Sequence, residues 1–224
     1  MADLDALRAR WTRALEGART PDKGSHPGPD PSPYAENLLA RWQEPQRHYH
    51  TLMHLTSVLD HIDVLEKHAD DPDVVRLAAW FHDAVYLPDR SENEERSARL
   101  AERALTEAGV PEDRVVEVAR LVRLTITHDP ADDDRDGQVL CDADLAILAA
   151  PPSAYAAYTA AVREEYHFVP NDAFRDGRSA ILRQLLDLPR LFRTPYGAAE
   201  WEATARYNLA AELELLASAG PSGE

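Results

Sequence analysis

The stretch Leu77-Ala78-Ala79-Trp80-Phe81-His82-Asp83-Ala84-Val85-Tyr86 constrains the chain more than any other, because it sets an imidazole beside a carboxylate at the end of an apolar run. Burying both groups costs free energy unless each finds a partner, and a divalent cation suits both. A lone His-Asp pair is more often a core histidine beside a helix-capping aspartate than an active site. The company the pair keeps decides between the two.

That company is helical. Leu4, Leu7, Trp11 and Leu15 recur at helical spacing, with Gly17 as the expected end. Pro21, Gly24, Pro27, Gly28, Pro29, Pro31 and Pro33 then exclude regular structure over 20–33, a surface connector. Pro33 opens a short helix to Trp42, closed by Pro45. Leu52, Leu55, Val58, Leu59, Ile62 and Leu65 form an apolar stripe on a helix from Thr51 to His68. At about 100° per residue, His50, His54 and His61 share one face of it, within roughly 40°.

Asp71-Pro72-Asp73 starts the helix that ends in the His-Asp stretch, and Ser91-Glu92-Asn93-Glu94 has the form of a capping box for a helix reaching Gly109. Pro111 opens the next, which ends near Thr127-His128-Asp129-Pro130. The run Asp132 to Gly137 reads as a solvated loop. Val139 to Leu148 fits a strand by local propensity, but its neighbours favour a helix. Helices over Ser153–Phe168, Asn171–Leu186 and Ala198–Ala217 complete the chain. The expectation is an all-α, single-domain helical bundle: an N-terminal helix over 1–19, the connector over 20–33, the main domain over 34–219 and a tail over 220–224.

Forty acidic residues against 24 basic give a net charge of -16, which disfavours a hold on duplex nucleic acid or an anionic membrane. An anionic substrate must then be drawn in locally, by a metal or a few arginines. Cys141 is the only cysteine, so no intramolecular disulfide is possible. Neither a membrane-spanning apolar run nor a secretory signal is evident, so the expected location is cytoplasmic.

Four separated segments supply ligand-type side chains in apolar helical surroundings: His50 and His54, His82-Asp83, His128, and Asp142 with Asp144. Mixed imidazole and carboxylate donors suit Mn²⁺, Fe²⁺, Co²⁺, Ni²⁺ or Zn²⁺, and a helical bundle is a recognised scaffold for such a site. One ion is the default expectation, a second the alternative.

The order His, His-Asp, Asp on successive helices resembles the HD superfamily of metal-dependent phosphohydrolases. Tyr49-His50-Thr51-Leu52-Met53-His54, Ala79 to Tyr86, Asn93 to Ala98 and Asp142-Ala143-Asp144-Leu145 resemble a subgroup of it described only as predicted HD phosphohydrolases; the likeness spans roughly Arg47 to Leu216. The resemblance implies an HD-type helical domain with His54, His82, Asp83 and Asp144 as metal ligands. His50 stays open as replacement or supplement for His54, and Asp142 as replacement for Asp144, since residues two apart on a helix point about 160° apart. It also implies Glu94 or Asp83 as the acid/base group and a place for His128 beside the site.

The implied reaction is hydrolysis of a phosphoester of a small phosphorylated metabolite or nucleotide by metal-activated water. Arg47, Arg163 and Arg178 are the candidate phosphate clamps, although surface pairing with Glu164, Glu165 or Asp176 is the commoner fate of such arginines. Tyr49, Trp80, Tyr86 and Tyr166 are candidates to stack on a base, against the commoner role of core aromatics. Two rival functions stand beside hydrolysis: a non-catalytic regulatory module that binds metal or nucleotide, and a di-iron oxygenase.

Overall fold

A computed structural model describes residues 2–19 and 28–218. Every regular element among them is helical: α1 (Leu4–Arg19), α2 (Ser32–Arg41), α3 (Leu52–Leu65), α4 (Pro72–Phe81), α5 (Asn93–Glu107), α6 (Glu112–Leu124), α7 (Arg135–Leu145), α8 (Pro152–Glu165), α9 (Asn171–Asp187), α10 (Pro195–Glu200) and α11 (Glu202–Ser218), with 3-10 turns at Glu66–His68 and Ala146–Ala149. The all-α expectation holds. Most of the proline-rich connector and the C-terminal tail lie outside the described residues.

Local chemistry sets the ends. Thr51, Asp71, Asp134 and Thr194 each accept a backbone N–H at a helix start, from Met53, Val74, Gly137 and Gly197 respectively. Pro72 and Pro195 stand in the first turn, where a missing N–H costs nothing. Gly109, at φ +79, ends α5 by turning the chain so that Val110 N donates to Leu105 O.

Helix α4 is the hub. It packs against α1, α3, α5, α6 and α7, and Val74, Val75 and Leu77 through Phe81 are all buried on it. Only Asp73 and Arg76 break its apolar surface, and Arg76 pairs with Asp63, Glu66 and Asp73 on the side that reaches solvent. The Trp11 ring of α1 meets Trp80 edge-on at 5.5 Å and Phe81 at 5.9 Å. A second, smaller core gathers Leu148, Tyr155, Leu182, Phe192 and Leu209 from the Ala146–Ala149 turn through α11, and Trp201 packs against both cores.

Several boundaries differ from those expected. Helix α1 runs past Gly17 to Arg19. The capping box is not formed: α5 begins at Asn93 without a side-chain cap, and the Asn93 amide instead binds the backbone of Leu87 and Arg90. The acidic loop is partly helix, because Asp136 is buried in the first turn of α7, where its carboxylate accepts the N–H groups of Asp70 and Asp71. The last helix is broken at Trp201 into α10 and α11. No single helix among the described residues is long and apolar enough to cross a membrane.

Candidate metal centre

Three helix ends meet at the centre. His54 lies in the first turn of α3, His82 and Asp83 follow α4, and Asp144 sits in the last turn of α7. His54 Nε2 stands 3.2 Å from His82 Nε2 and 3.1 Å from Asp144 Oδ1, while His82 Nε2 is 3.6 Å from that oxygen. Asp83 Oδ2 completes the group at 3.2 Å from His82 Nε2 and 3.9 Å from His54 Nε2.

The ring orientations are held from behind. His82 Nδ1 lies 2.7 Å from the Ala79 carbonyl, which makes Nδ1 the donor and turns Nε2 towards the group. The Trp42 indole packs on both imidazoles, at 6.2 Å from His54 and 5.5 Å from His82, and is pinned by its own N–H to Trp80 O.

Such an arrangement fits a cation. Two donors each about 2.1 Å from one ion and about 90–110° apart lie about 3.0–3.4 Å from each other, which brackets the His54–His82 and His54–Asp144 separations. His54, His82 and Asp144 thus form a group able to hold a metal ion, and the chain matches no family model, no curated protein and no solved structure.

Electrostatics point the same way. Burial pushes the His82 pKa down, but Asp83 and Asp144 outweigh it and hold the ring well above its ordinary value. At His54 burial wins and the pKa falls. Burial also opposes ionisation of Asp83 and Asp144, yet the facing imidazoles keep both below the usual carboxylate range.

Around this group lies a ring of supports. His50 Nε2 is 3.8 Å from Asp83 Oδ2, and its Nδ1 meets Glu165 Oε2 at 2.7 Å, so His50 stands beside the cluster rather than in the place of His54. His128 Nε2 meets Asp144 Oδ2 at 2.8 Å from a backbone at φ 50, a left-handed conformation uncommon outside glycine. His61, expected on the same face as His54, packs instead on Trp201 at 5.3 Å.

Asp142 and Asp144 do point apart, as their spacing dictates. Asp142 turns away from the cluster to accept Arg193 N and Thr194 N at 2.8 Å and the Thr194 hydroxyl at 2.7 Å, and burial pushes its pKa up to about 6. It ties the α10 entry to α7 and is no alternative to Asp144.

The three arginines are not free clamps. Arg47 is buried and donates to the carbonyls of His50, Asp83 and Ala84, lashing the start of α3 to the end of α4. Arg163 donates to Tyr166 O, Val169 O and Asn171 Oδ1. Arg178 holds Glu212 at 2.7 and 3.0 Å. Glu94, half-buried at the start of α5, is near enough for its charge to raise the Tyr166 pKa, an effect smaller than that of burial. Trp80 is wholly buried in the main core, not a stacking platform.

Sequence reasoning missed Glu165. Read there as a partner for surface arginines, it is buried; Oε1 accepts the N–H groups of His48, Tyr49 and His50, and Oε2 takes the Tyr86 hydroxyl as well as His50. The turn Val162-Arg163-Glu164-Glu165-Tyr166 carries two further charged residues, so nothing in it set Glu165 apart. Tyr158, whose ring meets that of Tyr49 at 4.7 Å, was missed too.

A cleft of about 490 Å³ opens beside the cluster, with Tyr49, His50 and His128 in its wall and α8 and α9 opposite. A larger hollow of about 690 Å³ runs along α1, but its lining of Arg8, Arg13, Glu16 and Asp73 includes none of the clustered residues.

Proposed function

We propose that the chain is a metal-dependent phosphohydrolase of the HD type, acting on a small phosphorylated compound. The observation that carries the reading is the convergence of His54 Nε2, His82 Nε2 and Asp144 Oδ1 from three helices, with Asp83 Oδ2 beside them and a cleft alongside. His54, His82, Asp83 and Asp144 would hold one divalent ion of the Mn, Fe, Co, Ni or Zn group. Such an ion supplies Lewis-acid stabilisation of the phosphoryl oxygens and an acidified water.

The chain's own residues do the rest. His82, held through Nδ1 by Ala79 O, orients its donor nitrogen, and His128 orients Asp144 by the contact at 2.8 Å. Glu94 is the candidate proton acceptor, because Asp83 is committed to the cluster. His50, braced by Glu165, shields the Asp83 side from solvent.

The rival regulatory reading draws support from the internal pairing of Arg47, Arg163 and Arg178, which leaves none of these three to clamp a phosphate. Purified protein assayed with Mn²⁺, Ni²⁺, Co²⁺ and Mg²⁺ against nucleotides and sugar phosphates separates the two. Phosphate release that disappears in Asp144→Ala, and falls about a hundredfold in Glu94→Gln, is expected. Metal-loaded protein that releases no phosphate across the panel overturns hydrolysis, and two bound irons per chain turn the assignment to oxidation.

A further inference from the structure

We infer that the cleft beside the cluster binds a planar, apolar leaving group, so that the substrate is a phosphomonoester of an aromatic or similarly flat apolar alcohol and not a di- or triphosphate. The inference rests on the phosphohydrolase reading for the phosphoryl end alone; the ring-binding cleft stands on its own lining.

That lining is dominated by rings and aliphatic side chains: Tyr49, Tyr158, Tyr166 and Phe174, with Val162 and Ile181. Its volume of about 490 Å³ is within the range of small-molecule sites. The cleft is continuous with the metal centre through Tyr49, whose ring lies 4.8 Å from that of His54 on one side and 4.7 Å from that of Tyr158 on the other. A phosphoryl group at the cluster therefore leaves its ester substituent among aromatic faces, where offset and edge-on ring contacts are favourable.

Charge excludes the alternatives. Arg178 is the one arginine or lysine among the lining residues, and its guanidinium is already held by Glu212 and seated over the Tyr158 ring at 5.3 Å. Arg163, behind the wall, spends its donors on Tyr166 O, Val169 O and Asn171 and covers Phe174 at 4.7 Å. Both arginines stiffen the aromatic walls and neither is left to receive a second phosphate. In a chain of net charge -16, the added negative charge of a polyphosphate meets no uncommitted arginine or lysine there. A monoester carries its charge only where the cluster is.

Two substitutions close the cleft without entering a core. A Cβ at Gly177 meets nothing within 4 Å, so Gly177→Trp is accommodated on α9 and fills the space. Ile181 is 51 % exposed at the mouth, where Ile181→Glu sets a charge against an apolar ligand. The experiment is calorimetric titration of Mn²⁺-loaded protein with 1-naphthylmethylphosphonate, methylphosphonate and pyrophosphate, none of which has a C–O–P ester to cleave. The naphthyl ligand is expected to bind tighter than either of the others by about tenfold or more, and both variants are expected to erase that preference while keeping the native circular dichroism.

Equal affinity for the naphthyl and methyl ligands, tighter binding of pyrophosphate, or a preference untouched by both variants overturns the inference. Saturation-transfer NMR with 1-naphthylmethanol, which has no phosphonate, reads the cleft in metal-free protein. Ring binding without phosphate release from 1-naphthyl phosphate refutes the hydrolase reading and leaves the cleft assigned; phosphate release without ring preference does the reverse.

Discussion

At Glu165 a single carboxylate gathers three consecutive backbone N–H groups, an imidazole and a phenol. Burial alone would raise its pKa, but His50 and the N–H groups of His48 and His50 reverse that and hold it at about 2. The folded state therefore binds fewer protons than the unfolded chain between about 2 and the ordinary 4.5. Its stabilisation is complete above pH 4.5 and is lost as the pH falls towards 2. Glu165→Gln keeps the shape but forfeits the charge, at a cost of about 2–3 kcal/mol at neutral pH, and the gap between variant and parent should narrow steadily below pH 4.5 and nearly close at about pH 2. Urea melts at the two pH values check both statements. Arg47→Lys should cost a similar amount, about 2 kcal/mol, because an ammonium cannot span the carbonyls of His50, Asp83 and Ala84 as the guanidinium does; a loss below half that in the same melts would count against its role as a tie.

At the scale of elements, α4 organises the bundle, and its composition made it legible: a segment opened by Asp71-Pro72 and ending in the apolar run Leu77 to Phe81 has few other places to go than the centre of a helical domain. The donors it carries, and those at His54 and Asp144, were legible for the same reason, as polar groups set in apolar helices. Glu165 was not, because a Glu164-Glu165 pair near a helix end looks like solvated charge until the backbone of 48–50 is seen to need an acceptor. Arg47 was misread for the matching reason, since a guanidinium that serves three carbonyls cannot be told by sequence from one that serves a phosphate. The break at Trp201 was hidden because α10 starts from Thr194, which docks on Asp142 from 52 residues away and accepts the Gly197 N–H. Gly197 permits that approach: a Cβ there would meet Asp142 Oδ2 at 2.6 Å and Phe192 Cβ at 2.9 Å. Gly197→Ala should destabilise the fold by about 1–3 kcal/mol through overpacking, measured as a lower denaturation midpoint at unchanged slope.

For the molecule as a whole, the cluster joins the ends of α3, α4 and α7, adding to the packing among them and to the Arg47 tie between α3 and α4. An ion bound to the folded state alone adds about 2.7 kcal/mol when its concentration is a hundred times Kd. Over a chain of this length that corresponds to a rise in Tm of about 5–10 °C, reversed by chelator and absent from Asp144→Ala. Scanning calorimetry with and without Mn²⁺ reads it directly, and a Tm indifferent to metal would mean that the three helix ends are held by hydrogen bonds alone.

The most direct measurement is metal content per chain, by inductively coupled plasma mass spectrometry after equilibration with Mn²⁺ or Zn²⁺ and desalting, for the parent, Asp144→Ala and Asp142→Asn. The geometry predicts about one equivalent in the parent and in Asp142→Asn, whose carboxylate is engaged with Arg193 and Thr194, and none in Asp144→Ala. Full metal retention in Asp144→Ala, or its loss from a folded Asp142→Asn alone, would contradict the assignment.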